Sequence, residues 1–509
     1  MMPRSPAPPR RPGDRRHRGA PSVWTALLAA LMVASCRHPV ADVAPPVSLP
    51  DAFRAEGEAL MPERWWTAFG DETLNRLVEE ALRGNFTLRV AWDRLDQARA
   101  AAIAGGADLW PSVDATAGAA REVERRTTTG RTYTKDFSLG LAVSYEVDLW
   151  GRIRSTADAA RLDASATGED LHAAAVTLAA EVVRTWYDLV EQRGQLALLD
   201  DQIATDETYL DIITLKFRRG QVSATDVLQQ QQLVELTRGD QVLVRSSVSV
   251  LENQLAVLLG RVPGGLVEEP PLHLPDLPPL PRAGVPASLV RRRPDVRAAE
   301  LRIQASDQRV AAAVADQWPA LSLTAGATTT ANEIRDLFDN WLASLAANLA
   351  APLFDAGRRR AEVERTRAVL SERLNTYGDA VLTALAEVDN GLVQEARQAD
   401  YVASLARQLD LSQKATDQTL ENYTKGTTEF TRYLTTLLAH QRLQRSSLTA
   451  RRDLVRLRIE LYRALAGGWA LPRPARARIE TPQAARGSSP EGRDDEPARP
   501  TTPDTRSPK

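Results

Sequence analysis

Several residue types are scarce in this 509-residue chain, and each scarcity excludes something. Cys36 is the only cysteine, so the chain cannot form an intramolecular disulfide. Aromatic residues make up 5% of the sequence, which favours long helices over a β-rich globule. The formal net charge is only -2, which argues against a nucleic-acid partner.

Histidine is also rare, and its distribution bears on chemistry. The five histidines are scattered through the chain without the spacing of a metal site: His17, His38, His172, His273 and His440. The sequence has neither a glycine-rich phosphate loop nor a recognisable serine-nucleophile elbow. We therefore expect no catalytic residue, no metal site and no cofactor.

The N-terminal segment lacks an apolar run long enough to cross a membrane. Residues 23–34 are mostly apolar, but a membrane-spanning helix needs about 20 such residues. Arginines are frequent before this run. A basic segment followed by a short apolar one is typical of a signal peptide, which we predict for residues 1–35. We expect this segment to be removed from the mature protein.

The signal segment ends in Val-Ala-Ser before Cys36, which resembles a lipobox. An exposed lone thiol is a liability in an oxidising compartment, and acylation would consume it and anchor the chain in lipid. The following residue is Arg37 rather than the aspartate that favours inner-membrane retention in such lipoproteins. We expect an outer-membrane lipoprotein. A plain secretory peptide and a buried free cysteine remain as alternatives.

Proline divides the rest of the chain. Residues 36–60 are rich in proline and predict an extended arm, and residues 471–509 have the composition of a disordered tail. A third proline-rich stretch, residues 263–283, reads as a linker between two parts, residues 61–262 and 284–470.

The two parts repeat each other. Three landmarks recur in the same order with offsets of 206 to 208: residues 107–112 at 315–320, residues 148–152 at 354–358, and residues 216–220 at 422–426. This period is much longer than the 20–50 residues of solenoid repeats. The sequence therefore indicates a duplicated unit.

Each part contains a predicted β-hairpin. In residues 137–149 every odd position is apolar and every even position is polar, charged or small, which is the alternation of a strand with two different faces. Residues 341–353 repeat the pattern more weakly. We expect hairpins over about 112–149 and 320–353, with polar loops at 121–136 and about 329–340.

Very long helices follow the hairpins. Proline is missing from residues 112–262 and 353–471. Residues 153–217 could form one helix of about 100 Å at 1.5 Å per residue. Apolar residues there alternate at spacings of four and three, which predicts coiled-coil packing. Gly220 and the following Ser-Ala-Thr-Asp predict a helix stop and a newly capped start.

Four strands with one apolar face cannot stand in a membrane as an open sheet, because each unpaired backbone N–H or C=O group at its edges would cost about 2–7 kcal/mol. Three copies would give twelve strands, enough for a water-lined barrel with the polar positions inside. Four tryptophans sit at predicted strand ends and suit a membrane-interface girdle: Trp110, Trp150, Trp318 and Trp341. Packing at the elbow between helix and strand is an equally weighted alternative.

Two motifs resemble a known family. Arg-Trp-Trp-Thr-Ala-Phe-Gly-Asp at residues 64–71, followed by Leu74 and Leu77, is similar to the opening of TolC/OprM-like outer-membrane efflux proteins, particularly the NodT-type lipoproteins. Leu-Val-Arg-Arg-Arg-Pro-Asp-Val-Arg-Ala-Ala-Glu at residues 289–300 resembles their internal signature. The resemblance covers roughly residues 60–468. We expect the arginines of the second motif to organise the start of the second part, not to bind a ligand.

The resemblance implies a mainly α fold with a membrane β-barrel. It implies a homotrimer in which a twelve-strand β-barrel stands on an α-helical periplasmic barrel. It further implies the exit duct of a tripartite efflux pump, working with a periplasmic adaptor and an inner-membrane transporter, commonly of the RND class. The cargo would be small molecules such as drugs, toxic compounds or metals. A duct for type I protein secretion and a periplasmic coiled-coil scaffold are the alternatives.

In this family the helix–turn–helix tips narrow the periplasmic mouth and meet the adaptor. The positions that the resemblance assigns to these tips are the turn glycines Gly220 and Gly426, then Thr225, Asp226, Tyr423, Glu429 and Arg432. Glu429 and Arg432 depart from the more acidic pattern that is usual there, which puts cation selectivity in doubt. Ordinary helix capping is the alternative for Asp226, and pairing within one helix turn is the alternative for Glu429 and Arg432.

Overall fold

The structure is a computed structural model that describes residues 39, 44–55, 57–126, 130–264 and 268–473. Cys36, the predicted signal peptide and residues 474–509 of the predicted tail lie outside the described residues. The compact unit that carries the helices and the sheet ends at Pro472.

Eight α-helices and four β-strands are described, together with two short 3₁₀ helices, Trp65–Phe69 and Ile334–Asp336. The helices are α1 (Glu72–Gly84), α2 (Phe86–Ala107), α3 (Arg152–Arg218), α4 (Ala224–Leu259), α5 (Pro286–Arg292), α6 (Pro294–Ala315), α7 (Arg358–Thr424) and α8 (Phe430–Leu465). The strands are β1 (Ser112–Arg126), β2 (Gly130–Val147), β3 (Ala320–Ala331) and β4 (Trp341–Ala350).

The internal repeat is visible in the helix lengths. Helices α3 and α7 each have 67 residues, and α4 and α8 each have 36. Helices α2 and α6 each have 22 residues. The long helix expected over 153–217 is α3. Its predicted seam is largely buried, including Leu171, Leu189 and Ile213, although Phe217 at its end is exposed.

An aspartate side chain lies at the start of each 67-residue helix. Asp148 accepts hydrogen bonds from the backbone N–H groups of Ile153 and Arg154 at 3.1 and 2.9 Å. Asp355 accepts from Gly357 and Arg359 at 3.0 and 3.3 Å. The first N–H groups of a helix have no partner within it, so these carboxylates accept hydrogen bonds from them. Their negative charge also interacts favourably with the positive end of the helix dipole. The same type of aspartate contact therefore joins each β-hairpin to the long helix that follows it.

The first family-like motif lies in the main core. Trp65 and Trp66 are fully buried, and Trp65 packs against Tyr462 near the end of α8. Asp71 caps α1 by accepting from Leu74 N, and its second oxygen accepts from Trp186 Nε1 at 2.8 Å. The motif thus ties the start of the described body to the middle of α3 and to the end of the last helix.

The second motif also has a structural role, as expected. Arg293, between α5 and α6, donates to both carboxylate oxygens of Asp295 at 3.0 and 2.7 Å. It also donates to Glu387 of α7 at 2.6 Å and to the backbone oxygen of Ala464 at 3.2 Å. This guanidinium fixes the start of the second half against two of its helices.

The described residues of the arm lie against the second half and against the linker. Pro46 covers Gly378 of α7, where a Cβ would come within 2.9 Å of the proline Cγ. Arg54 pairs with Asp389 at 3.3 Å, and Ala59 N donates to Leu280 O at 3.2 Å. The described residues of the arm, 44–55 and 57–60, therefore lie against α7 and the linker.

The four strands form one antiparallel sheet in the order β1-β2-β3-β4. Two expectations about its limits were wrong. The polar loop expected at 121–136 is instead largely strand, since β1 continues to Arg126 and β2 begins at Gly130. Strand β4 ends at Ala350 and not near Leu353, because Pro352 has no N–H for a strand ladder.

Candidate functional site

The register of the sheet separates two chemically different faces. Residues directly opposite one another share a face, so Leu141 of β2 shares its face with Ala115 of β1 and Ala327 of β3. The same face continues in β4 with Leu345, which is 84% exposed. It is apolar over its whole width: Val113, Ala115, Ala117, Leu139, Leu141, Val143, Leu321, Leu323, Leu345 and Leu349.

The opposite face is polar or small except for Leu342 near the start of β4. Ser138, Ser144 and Glu146 of β2 lie beside Thr330, Thr324 and Ser322 of β3. Asn348 of β4 continues this row. This arrangement agrees with the predicted alternation and leaves one face for an apolar environment and one for water.

Three of the four singled-out tryptophans lie at the helical end of the sheet. Trp150 and Trp318 stack with ring centroids 5.4 Å apart, and Trp150 Nε1 donates to Pro319 O at 2.8 Å. Trp110 is 75% exposed. Trp341 lies at the other end, opposite Thr329. The stacking of Trp150 on Trp318 supports packing at the elbow between helix and strand. The exposure of the tryptophans and their placement at both ends of the sheet also suit a membrane-interface girdle.

The two helical turns have the same geometry. Gly220 and Gly426 have φ of +70° and +74°, which only glycine adopts freely. Gln221 N donates to Lys216 O, and Thr427 N donates to Asn422 O, both at 2.9 Å. These are the bonds of a Schellman motif, which ends a helix sharply. Each turn therefore folds a long helix back on its partner as a rigid tip.

The first tip carries a capping box. Asp226 accepts from the backbone N and the hydroxyl of Ser223 at 2.9 and 3.0 Å, and its own N–H donates to that hydroxyl at 3.3 Å. Asp226 therefore takes part in capping α4, which is the alternative role given for it above. Asp226 is half-buried, whereas the neighbouring Thr225 is exposed.

The second tip has no such box. At the repeat offset of 206, Glu429 stands in the place of Ser223 and Arg432 in the place of Asp226. Glu429 is the N-cap residue of α8, but its side chain makes no capping hydrogen bond. In the part of the chain that the structure describes, Glu429 and Arg432 form no ion pair with each other, and both side chains are exposed. Their charges are therefore available at the tip surface.

Tyr423 brings the two tips together. The ammonium of Lys216 lies 4.3 Å from the Tyr423 ring centroid, and Tyr423 contacts Phe430 and Tyr433. Burial raises the pKa of Tyr423, and the negative charge of Asp226 raises it further. A cavity of about 600 Å³ is lined by Asp226, Tyr423, Glu429 and other residues of both tips. Thr225 and Arg432 do not line it.

Several tip residues were missed by sequence reasoning. Tyr209, Lys216, Phe430 and Tyr433 belong to the aromatic contact between the hairpins. Tyr209, Phe430 and Tyr433 gave some signal, because aromatic residues are rare in this chain. Lys216 gave none, because nothing in the sequence places it over a ring 207 residues away.

A buried carboxylate behind the tip was also missed. Asp206 of α3 accepts from Thr237 of α4 at 3.2 Å and from Gln441 of α8 at 2.9 Å. Desolvation by burial raises the pKa of Asp206 to about 6, although these hydrogen bonds and the charge of Arg445 oppose the shift. Asp206 occupies a seam position between Ile203 and Leu210, so a charged residue in the coiled-coil pattern was the available signal.

Among the described residues, no group of three or more His, Cys, Asp or Glu residues is placed to hold a metal ion. Helix α4 alone, within the described ranges, has the length and hydropathy of a membrane-spanning helix, with 22% of its most apolar window buried.

Comparison with known proteins gives the family. The model of the family "Outer membrane efflux protein" matches residues 77–261 and 285–467. The pyoverdine export outer membrane protein OpmQ of Pseudomonas aeruginosa is 31% identical over 470 residues, which cover 88% of this chain and 98% of that protein. The solvent efflux pump outer membrane protein SrpC of Pseudomonas putida is 30% identical, over 79% of this chain and 87% of its own length.

Solved structures agree. The outer-membrane channel OprN is 29% identical, with a TM-score of 0.76 over 84% of this chain and 99% of that one. The open state of the Neisseria gonorrhoeae MtrE outer membrane channel shares the fold at 24% identity, with a TM-score of 0.76 over 86% of this chain and all of that one. The two-faced sheet, the paired helical hairpins and the extent of these matches lead to one conclusion: the chain belongs to the outer membrane efflux protein family and is a TolC-like channel protein of the outer membrane.

Proposed function

We propose that three copies of this chain form one duct, with a closed twelve-strand barrel on a helical barrel. The open sheet is the observation that carries the proposal. Strands β1 and β4 are its two edges, and all of β4 is exposed. An open edge in hydrocarbon leaves backbone groups without partners, whereas pairing β4 of one copy with β1 of the next removes both edges.

The helices point to the same assembly. Helix α4 carries large apolar side chains that are exposed in the single chain: Leu228, Leu236, Val242, Leu243, Val250 and Val257. Helix α7 carries Leu382, Tyr401 and Leu411 in the same state. A neighbouring copy would cover these rows and continue the coiled-coil packing around a ring.

The assembly is tested on full-length protein extracted from outer membranes. We expect a trimer by light scattering and a band that shifts on heating in gel electrophoresis. A monomer that stays soluble without detergent after removal of the lipid would overturn the proposal. It would favour the periplasmic scaffold instead.

We further propose that Cys36 is acylated and tethers the arm to the inner face of the outer membrane. Pro46 lies over Gly378, twenty residues into α7, or about 30 Å from the sheet at 1.5 Å per residue. The ten residues from Cys36 to Pro46 can span about 33–36 Å when extended. The cysteine can therefore reach the base of the sheet, where the membrane surface would lie.

The anchor is tested by metabolic labelling with a fatty-acid analogue. Cys36→Ala should abolish the label, and persistent labelling would disprove acylation at this residue. Given a cleavable secretion signal, the Cys36→Ala protein should still assemble, because closure of the barrel holds it in the membrane.

The duct would serve as the exit channel of a tripartite efflux pump for small molecules. A periplasmic adaptor and an inner-membrane transporter, of the RND class by family resemblance, would supply the energy and the selection of cargo. The exposed charges of Glu429 and Arg432 offer the second tip to such an adaptor. Deleting the gene should lower resistance to the pump's substrates, and restoring it with its adaptor and transporter should recover resistance. Loss of a secreted protein without loss of resistance would favour the type I secretion duct.

A further inference from the structure

The hairpin of β1 and β2 rises beyond the rest of the sheet. Strand β3 ends at Ala331, which lies opposite Phe137. The β1–β2 ladder continues past that point through Lys135 to Arg131 on one strand and through Arg121 to Arg125 on the other. At about 3.3 Å per residue, the six residues from Phe137 to Arg131 add roughly 20 Å of two-stranded ribbon.

The charges on this ribbon are sorted by face. Arg121 and Lys135 are directly opposite each other, and so are Arg125 and Arg131. By strand alternation both pairs lie on the face that carries Phe137 and the apolar row below it. We call these four residues the basic hairpin face. The opposite face carries Glu122 and Asp136, which lie across from Thr134 and Ala120.

Two cation–cation pairs directly across a ladder are unfavourable without an anion between them. All four side chains of the basic hairpin face are exposed, and the structure records no ion pair for them among the described residues. Arg121 lies over the Tyr133 ring, with 5.5 Å between the guanidinium carbon and the ring centroid. The acidic side chains that would neutralise them are on the other face of the ribbon.

The position of these charges identifies the partner. The apolar face between Phe137 and Val147 spans ten residue steps, or about 25 Å in a barrel whose strands tilt by ~40°, which matches the apolar band of an outer-membrane barrel. Phe338 and Trp341 lie beside Leu139 and Leu141 near its upper rim. The basic hairpin face begins one residue pair above that rim, at the level of lipid headgroups.

We propose that the basic hairpin face binds the phosphate groups of outer-leaflet lipopolysaccharide. Basic residues at a membrane surface attract anionic lipid with about 1 kcal/mol per Lys or Arg. Phosphate groups between opposed cations would also remove the repulsion within each pair. The proposal rests on the proposed trimeric barrel, because only that assembly places this face outward and this end of the sheet outside the cell.

The test titrates labelled lipopolysaccharide into the detergent-solubilised full-length trimer. The variant replaces the whole basic hairpin face: Arg121→Gln, Arg125→Gln, Arg131→Gln and Lys135→Gln. The matched control removes four exposed cations from α7: Arg367→Gln, Arg397→Gln, Arg407→Gln and Lys414→Gln. We expect a loss of affinity of a hundredfold or more for the first variant and less than threefold for the control.

Two further arms identify the phosphate source. Dephosphorylated lipopolysaccharide should bind the wild-type trimer no better than intact lipopolysaccharide binds the variant, and inorganic phosphate should compete only weakly. Equal affinity of the wild type and the hairpin variant would overturn the inference while leaving the duct intact. A failure of the wild type to form a trimer would instead count against the proposed function.

Discussion

The carboxylate of Asp206 in α3 accepts a hydrogen bond from Nε2 of Gln441 in α8, 2.9 Å away, although 235 residues separate them in sequence. This bond joins the first helical hairpin to the second just behind the tips. Asp206 is fully buried, and Gln230 of α4 donates to its backbone oxygen at 2.8 Å. A single residue thus connects three helices near the mouth of the proposed duct.

The first prediction concerns pH. The pKa of Asp206 is raised to about 6, so between pH ~4 and ~6 the folded protein holds a proton that the unfolded chain has released. The contribution of Asp206 to the free energy of unfolding therefore falls as the pH rises through that window and stays low above it. Asp206→Asn should remove the dependence and stabilise each protomer by on the order of 2–3 kcal/mol at pH 7.

The variant keeps the hydrogen bonds. The Thr237 hydroxyl also lies 3.0 Å from Leu233 O, so it can donate there and accept from the new amide. Thermal unfolding midpoints of both proteins, measured from pH 4 to 8, test this prediction. A difference that does not grow between pH 4 and 6 would show that Asp206 is ionised without a penalty.

The second prediction concerns the two faces of the sheet. Leu141 lies near the middle of the apolar face, and an arginine there would meet the hydrocarbon at a cost of about 2–4 kcal/mol. Ala142 is its neighbour on the polar face, opposite Asp114. Leu141→Arg should therefore reduce the heat-modifiable trimer in outer membranes, while Ala142→Arg should be tolerated. The reverse order of the two yields would mean that the apolar face is turned inward.

Much of this architecture was predictable, and the reason is periodicity. Alternation over residues 137–149 predicted the C-terminal part of β2, and the missing prolines predicted very long helices in both halves. Beyond Phe137 charged residues replace the apolar positions of the alternation, so a loop was predicted where the strands continue. The contact of Lys216 with Tyr423 was not predictable, because it depends on how the two hairpins pack.

The third prediction separates gating from capping at the first tip. Ser223 and Asp226 share one capping box; Ser223→Ala loses the cap at a cost of about 1 kcal/mol, whereas Asp226→Asn keeps an amide oxygen that can accept the same hydrogen bonds. Asp226→Asn removes the charge from the tip cavity, whereas Ser223→Ala removes the cap and keeps the charge. If Asp226 belongs to the gate, only Asp226→Asn should change single-channel conductance or cation preference in planar bilayers. Equal effects of both variants would assign Asp226 to capping alone.

The last prediction concerns the ion pair of Arg458 and Glu395, which joins α8 to α7. Their side chains are only 4% and 9% exposed, and Arg458 also donates to Pro279 O in the linker at 3.2 Å. Removing one partner leaves a buried charge without compensation, so Glu395→Gln should destabilise the protomer by about 3–5 kcal/mol. It should also release the linker and speed proteolysis within residues 263–283.

Helix α7 offers a matched control for that experiment. Glu362 pairs with Arg365 on its surface, with side chains 48% and 63% exposed. Solvent screens such a pair, so Glu362→Gln should leave the unfolding midpoint almost unchanged and the linker protected. Thermal unfolding and timed trypsin digestion of both variants make the comparison. Similar losses in the two would mean that burial adds nothing to the Arg458 pair, and that the linker is held by its backbone contacts with the arm.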